Sequence, residues 1–299
     1  MMLHEIAPEK YHVEYRNKQP GKRDKVLLYT ENELIVRSGE ALDYPGAEEV
    51  GDARYRYLFS IGETAYFSVL DEKEAEALSV RLVTEHSGNE ESAPEFLRLP
   101  ERGVRYLFPR SNSYAGAVGA QLIGWYRRSR FCGRCGAKTV HSETERMMYC
   151  PKCGNMIYPE IHPSVIVGIF HEDRLLVTRY NPKHMEVSNG HLFKAPVHEA
   201  LVAGYIETGE TAEEAVEREV MEEVGLKVKN IRFYRDTPWP FSGSLLFSFL
   251  CDVDGDPTIR IEEDELSMAV FRRRSEMPDR SKEVSLTSAI MEDFRLGRL

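Results

Sequence analysis

Between residues 26 and 69, short apolar runs alternate with polar breaks. Residues 26–29 and 34–36 flank Thr30-Glu31-Asn32-Glu33, and residues 55–60 and 65–69 flank Gly62. This pattern predicts short strands and hairpins. The period then lengthens: residues 74–82 read as a helix, and residues 89–94 are polar enough for a loop. Residues 114–128 place Ala117, Val118, Leu122 and Trp125 at helical spacing. Beyond Pro163, residues 165–170 and 175–179 predict an apolar hairpin around Glu172-Asp173, followed by a loop. A helix is expected after Thr211, strands at 231–235 and 245–251, and an amphipathic helix at 286–294. Strands mixed with helices in this order predict helices layered on a sheet.

The chain has 299 residues, too many for one ordinary small domain. Its hydrophobic fraction of 42% supports a sizeable core without unusual staples. A net charge of −10 makes it a poor general binder of nucleic acid, so any such contact needs a local basic patch. Arg127, Arg128, Arg130 and Arg134 form one short basic cluster, which reads either as a solvated helix end or as a guide for an RNA strand. No apolar run is long enough to cross a bilayer, and the first residues lack the apolar core of a signal peptide. The expected location is therefore cytoplasmic. Before about residue 130 no catalytic constellation stands out, so that part is expected to be structural or dimerising.

Four of the five cysteines form two CxxC knuckles, Cys132-Gly133-Arg134-Cys135 and Cys150-Pro151-Lys152-Cys153, with fourteen residues between them. Each knuckle puts two thiolates on one tight turn, and Gly136 and Gly154 follow where the backbone must relax. Four sulfurs so spaced predict a tetrahedral Zn²⁺ site, one per chain, and a site closed by four thiolates is structural. Cys251 lies in an apolar strand and reads as a core residue.

Residues 204–226 carry a denser signal. Gly204 is followed by Glu210, then Arg218-Glu219-Val220-Met221-Glu222-Glu223-Val224-Gly225-Leu226. Thr211 and Glu214 fit a capping box, and Val216, Val220 and Val224 would pack one side of the helix on a sheet. Glu219, Glu222 and Glu223 stand at i, i+3 and i+4, where like charges repel unless a cation joins them. Oxygen-only ligands suit Mg²⁺ or Mn²⁺. Arg218 is placed to grip Glu210 or a neighbouring carboxylate. Gly204 and Gly209 would permit the loop leading into the helix, and Gly225 would end it. This segment matches the Nudix box, Gx5Ex7REUxEExGU, at every fixed position, which is expected by chance in roughly one window per billion.

Downstream, Thr237-Pro238-Trp239-Pro240-Phe241-Ser242-Gly243-Ser244 reads as a rigid, aromatic-rich loop able to stack a nucleobase or nicotinamide. A four-cysteine unit, a Tyr-Pro, a Nudix box and a PWPF segment, in that order, resemble the NADH pyrophosphatase family of Nudix hydrolases, some of which remove NAD caps from RNA. The likeness is specific from about Trp125 onward. Asp236-Thr237 and Ser242 depart from the family's usual segment, which leaves the substrate class but not the fine preference. The resemblance implies an α+β architecture: a Nudix α/β/α sandwich with a mixed sheet (162–299), preceded by a zinc ribbon (126–161) and an N-terminal α/β domain (1–125).

It further implies hydrolysis of the pyrophosphate of NAD(H) to NMN(H) and AMP, with NAD-capped RNA as a related substrate and a homodimer as the assembly. Glu219 and Glu223 would be the primary metal ligands, Glu222 a further ligand or base, Arg218 their support, and Ala203 a backbone carbonyl ligand. A family acid outside the box falls on Ser267 here, so Glu265 is taken as its substitute. Glu145, Tyr158 and residues Thr237 through Ser244 would contact substrate, and Arg105 and Thr287 align with two further contacts. The alternatives are a broader pyrophosphatase acting on ADP-ribose-type compounds, and a non-catalytic nucleotide sensor. A sensor is free to lose a box glutamate or Arg218; all are kept, and no helix-turn-helix signature is apparent.

Overall fold

A computed structural model describes residues 2–30, 33–85, 95–181, 186–188, 191–193 and 199–299, without side chains for 186–188 and 191–193. The loop expected at 89–94, Glu31-Asn32, and much of the loop after residue 179 lie outside the described residues. The chain divides into two compact units: Met1–Met2, Ile161–Trp239 and Gly243–Leu299 form one, Leu3–Glu160 and Pro240–Ser242 the other.

In the second unit, strands Tyr11–His12, Tyr55–Ile61, Thr64–Val69 and Lys25–Val26 form a sheet in that order. The expected pairing around Gly62 is present, with Ile61 opposite Thr64. Lys25–Val26 runs parallel to Thr64–Val69, and Glu33–Arg37 pairs with Phe96–Pro100, a strand not expected from the sequence. Helix Glu72–Glu85 packs Ala75 and Leu82 into a core with Val26, Leu28, Ile35 and Phe96. Helix Arg110–Arg128 begins four residues before its apolar spacing predicts, with Pro109 at its N-cap. Ala117, Val118, Leu122 and Trp125 are buried on it. Gly119 is required for close packing: a Cβ there would lie 2.3 Å from Leu27 Cδ1. Three short strands, Val140–His141, Met148–Tyr149 and Met156–Ile157, complete the cysteine-bearing part.

The first unit is built on a seven-stranded mixed sheet. His162–His171 and Arg174–Tyr180 form the expected hairpin, with His171 opposite Arg174. His162–His171 also pairs in parallel with Ser244–Val253 and antiparallel with Val202–Tyr205. Alternation along this strand sends side chains to two cores. Val165, Val167 and Ile169 face Ala215, Val216, Val220 and Val224 of helix Ala212–Val224. Ile166 and Phe170 face Leu286, Ile290, Met291 and Phe294 of helix Leu286–Arg295. The result is the helix-sheet-helix layering expected from the sequence. Two of its strands, Val202–Tyr205 and Leu266–Arg273, carry no clear alternation and were not expected.

One expectation is corrected. Residues 237–244 are not a free loop: strand Val228–Trp239 continues through Trp239, with Pro238 opposite Leu245 and Trp239 opposite Ser244. Proline is tolerated because this strand ends the sheet order and its lost N–H breaks no inner ladder. Only residues 240–243 turn, with Gly243 at φ 68°. Among the described residues no helix is long and apolar enough to cross a membrane.

Candidate active site

Helix Ala212–Val224 is fixed at both ends by its own sequence. Thr211 accepts a hydrogen bond from the Glu214 N–H at 3.2 Å, and Glu214 Oε2 accepts from the Thr211 N–H at 2.8 Å. Gly225 takes the left-handed conformation, φ 67°, that closes the helix. With the valine face buried, the acidic face is held against strand Val202–Tyr205.

Arg218 organises this face. Its Nε and Nη2 donate to the two oxygens of Glu210 at 2.8 and 2.9 Å, a bidentate pair. Nη2 also donates to the Tyr205 carbonyl at 2.9 Å. Nη1 reaches Glu219 Oε1 at 2.8 Å and Glu222 Oε2 at 3.1 Å. One guanidinium thus ties the incoming loop to two of the three helix glutamates.

The three glutamates are not equivalent. Glu222 faces solvent, its side chain 62% exposed. Glu219 is largely covered, and burial raises its pKa despite Arg218, with Glu222 and Glu265 adding to the rise. Glu223 is 1% exposed. Its Oε1 accepts from the Ala203 N–H at 3.1 Å, while its Oε2 is buried with no partner among the described residues. Burial pushes its pKa up to about 8, the Ala203 N–H opposes this, and the charges of Glu265, Glu219 and Glu222 add to it. A buried carboxylate oxygen left over, ringed by three like charges, is the donor set a hard divalent cation fits.

Gly204 has a different role from the one its motif position suggests. It lies within the strand, and a Cβ there would stand 1.9 Å from Glu219 Oε1. The glycine is needed for close approach of the carboxylate, not for a turn. This was missed because sequence does not show which strand faces the helix. Gly209, at φ 90°, does serve the turn.

Glu265 is exposed in the turn before strand Leu266–Arg273, and its charge reaches both Glu219 and Glu223. Ser267 turns its hydroxyl to the carbonyls of Arg179 and Tyr180, at 3.2 and 3.0 Å. Thr237 and Ser244 are buried in the paired strands, Trp239 is half-buried, and Thr287 is the half-buried second residue of helix Leu286–Arg295. Ala203, Arg218, the three glutamates and Glu265 thus come together. Arg105, Glu145 and Tyr158 belong to the other unit, together with Pro240, Phe241 and Ser242. There Arg105 lies over the Tyr106 ring, 4.5 Å from its centroid, and Glu145 and Tyr158 are exposed. The basic cluster is partly spent on internal pairs: Arg127 and Arg130 both contact Glu72, at 3.3 and 2.9 Å.

The four cysteines converge. Cys132 and Cys153 sulfurs are 3.6 Å apart, Cys135 and Cys150 sulfurs 3.5 Å, and all four lie within 4.8 Å of one another. Gly136 and Gly154, at φ 71° and 72°, make the knuckle turns. Burial works against the Cys132 thiolate, but the N–H groups of Arg134 and Cys135 and the neighbouring thiols outweigh it, bringing its pKa down to about 6. Four thiolates so close require a cation, and tetrahedral Zn²⁺ matches them. Among the described residues this is the one group of three or more His, Cys, Asp or Glu that converges so tightly.

Residues 160–289 match the NUDIX domain, and residues 127–158 match the NADH pyrophosphatase zinc ribbon domain. Curated relatives named NAD-capped RNA hydrolase NudC, from Salmonella typhi and Salmonella heidelberg, are 42% identical over 160 residues. That match covers 54% of this chain and 58% of each relative, so the chain spans little more than half the length of the proteins it matches. A crystal structure of a NUDIX hydrolase from Nitrosomonas europaea aligns with TM-score 0.45 and 18% identity, covering 56% of this chain and 92% of that one. By the family matches, residues 160–289 carry a Nudix domain and residues 127–158 a zinc ribbon of the NADH pyrophosphatase kind.

Proposed function

We propose that this protein hydrolyses the pyrophosphate bond of NAD(H) to NMN(H) and AMP, with Mg²⁺ or Mn²⁺, and that it also removes NAD caps from RNA. The observation that carries the reading is the unpartnered Glu223 oxygen beside Glu219, inside a complete Nudix box. Glu219 and Glu223 would hold the catalytic cation, with the Ala203 carbonyl and Glu265 as further ligands. When bound, the cation neutralises phosphate charge and activates water. Arg218 bridges Glu219 and Glu222 and offsets the repulsion between them. Glu222, facing solvent, serves as a further ligand or takes the proton of the attacking water. The paired strand ends at Trp239 and Ser244, with the turn of Pro240, Phe241, Ser242 and Gly243, hold the base or nicotinamide. Thr237, Pro238, Thr287, Arg105, Glu145 and Tyr158 are the remaining proposed substrate contacts.

The names of the curated relatives, the zinc ribbon and the PWPF segment favour NAD-type substrates over ADP-ribose-type ones, and the intact acidic set disfavours a sensor. Residues 1–125 are proposed as a structural or dimerising domain, 126–161 as the ribbon and 162–299 as the catalytic domain, in a cytoplasmic homodimer. The deciding experiment incubates purified protein and Mg²⁺ or Mn²⁺ with NADH, NAD⁺, ADP-ribose and NAD-capped RNA, and identifies products by mass. NMN(H) with AMP, and 5′-monophosphate RNA, are expected. Turnover of ADP-ribose alone would move the assignment to the broader class, and four intact substrates would end it.

A further inference from the structure

Within the unit Leu3–Glu160, residues of the N-terminal part and of the ribbon line a cavity of about 260 Å³. Arg54, Arg56, Arg127, Arg130 and Lys138 reach its wall in a chain whose net charge is −10. The carboxylates facing them are Asp71, whose charge bears on Arg54 and Arg130, and Glu72. Asp71 Oδ1 caps the helix, accepting from the N–H groups of Lys73 and Glu74 at 3.0 and 3.1 Å. Glu72 is shared by Arg127 and Arg130. Arg127 also donates to the carbonyls of Thr30 and Tyr29, at 3.1 and 2.8 Å.

Three cations remain. Arg56 is largely covered, its guanidinium 3.9 Å from the centroid of the Tyr126 ring. Among the described residues it has no carboxylate partner, and burial lowers its pKa. Arg54 and Lys138 are exposed at the rim and likewise make no ion pair among the described residues. His141, also on the wall, is held at 3.1 Å by the Tyr126 hydroxyl. Burial first, then the charges of Arg56 and Arg146, push its pKa down to about 4, so near neutral pH it supplies a neutral polar group.

A covered guanidinium without a counter-charge is unfavourable, and an oxyanion relieves it. A phosphoryl group matches the guanidinium fork and gains from a second and third cation. We propose that this cavity binds a phosphoryl anion, with Arg56 as its base contact and Arg54 and Lys138 closing over it. The site is separate from the Nudix helix, and the inference does not depend on the reaction proposed there.

Titration calorimetry on the full chain, without added divalent cation, tests it. The probes are inorganic phosphate and AMP, the first a free anion, the second a nucleotide phosphate. Saturable binding is expected, with Arg56→Gln weakening it about tenfold or more and Lys138→Gln by a smaller factor. Glu219→Gln should leave this binding unchanged, which separates it from the acidic site. Tighter binding of AMP would identify a nucleotide as the occupant, and equal or stronger binding of inorganic phosphate the free anion. If Arg56→Gln does not fold, Arg54→Gln and Lys138→Gln, both at exposed positions, carry the test. No saturable binding of either probe, or affinity unchanged in the rim variants, would overturn the proposal.

Discussion

Glu223 carries the most information of any single residue. It is buried, half-satisfied and surrounded by negative charge, an arrangement that is unfavourable in the bare protein. Glu223→Gln should lower turnover about a hundredfold or more, since it removes a proposed cation ligand while keeping the shape. Steady-state rates with saturating Mg²⁺ check this, and unchanged turnover would remove Glu223 from the machinery. A second consequence follows without added Mg²⁺ or Mn²⁺. The folded carboxyl binds its proton up to about pH 8, whereas its ordinary value is 4.5. Between those values the native state holds more protons than the unfolded one, so this group's contribution to stability falls as pH rises. Melting temperatures of wild type and Glu223→Gln should diverge across that window, with the variant gaining relative to wild type. Parallel pH profiles would show that the carboxyl is not shifted. Gly204→Ala is a sharper probe of geometry: the added methyl must displace the Glu219 carboxylate. A destabilisation of about 1–3 kcal/mol is expected for such overpacking, with a larger proportional loss in kcat. Full activity in that variant would mean Glu219 need not approach the strand.

Among the elements, the helix Ala212–Val224 was legible because each of its signals is local: cap, valine stripe, arginine and C-terminal glycine. The cysteine knuckles were legible for the same reason. Removing the cation from them should unfold the ribbon, since four thiolates cannot otherwise share so small a volume. Chelation is therefore expected to lower the melting temperature and to abolish amide protection over residues 131–158; unaltered melting would argue against a structural zinc. The segment 237–244 was legible in composition but not in conformation. Its aromatic and proline content suggests a loop, yet pairing across Pro238 and Trp239 extends the strand. A ring fixed at a strand end is a firmer platform than one on a loop, so Trp239→Ala should change the ranking of dinucleotide substrates more than it changes the metal requirement. An unaltered ranking of kcat/KM values would deny it that role.

At the scale of the whole molecule, the proposed dimer is checked by light scattering, which should give twice 34.3 kDa. A monomer that retains full activity would exclude sharing of the site between subunits. Local pattern determined much of this protein: the cysteine knuckles, the Nudix-box helix, the hairpins, the principal helices and the layering they imply. Those features are set by neighbours within a few residues, where spacing alone decides geometry. Tertiary structure decided what depends on distant partners. It placed Lys25–Val26 beside Thr64–Val69 while Tyr29 still pairs antiparallel with Leu34, made strands of Val202–Tyr205 and Leu266–Arg273, and set Gly204 against Glu219. It also separated three similar glutamates into an exposed, a covered and a buried one, and left Arg56 beside a cavity with no carboxylate partner among the described residues. Burial and charge environment are properties of what surrounds a side chain, and a linear pattern does not specify those surroundings.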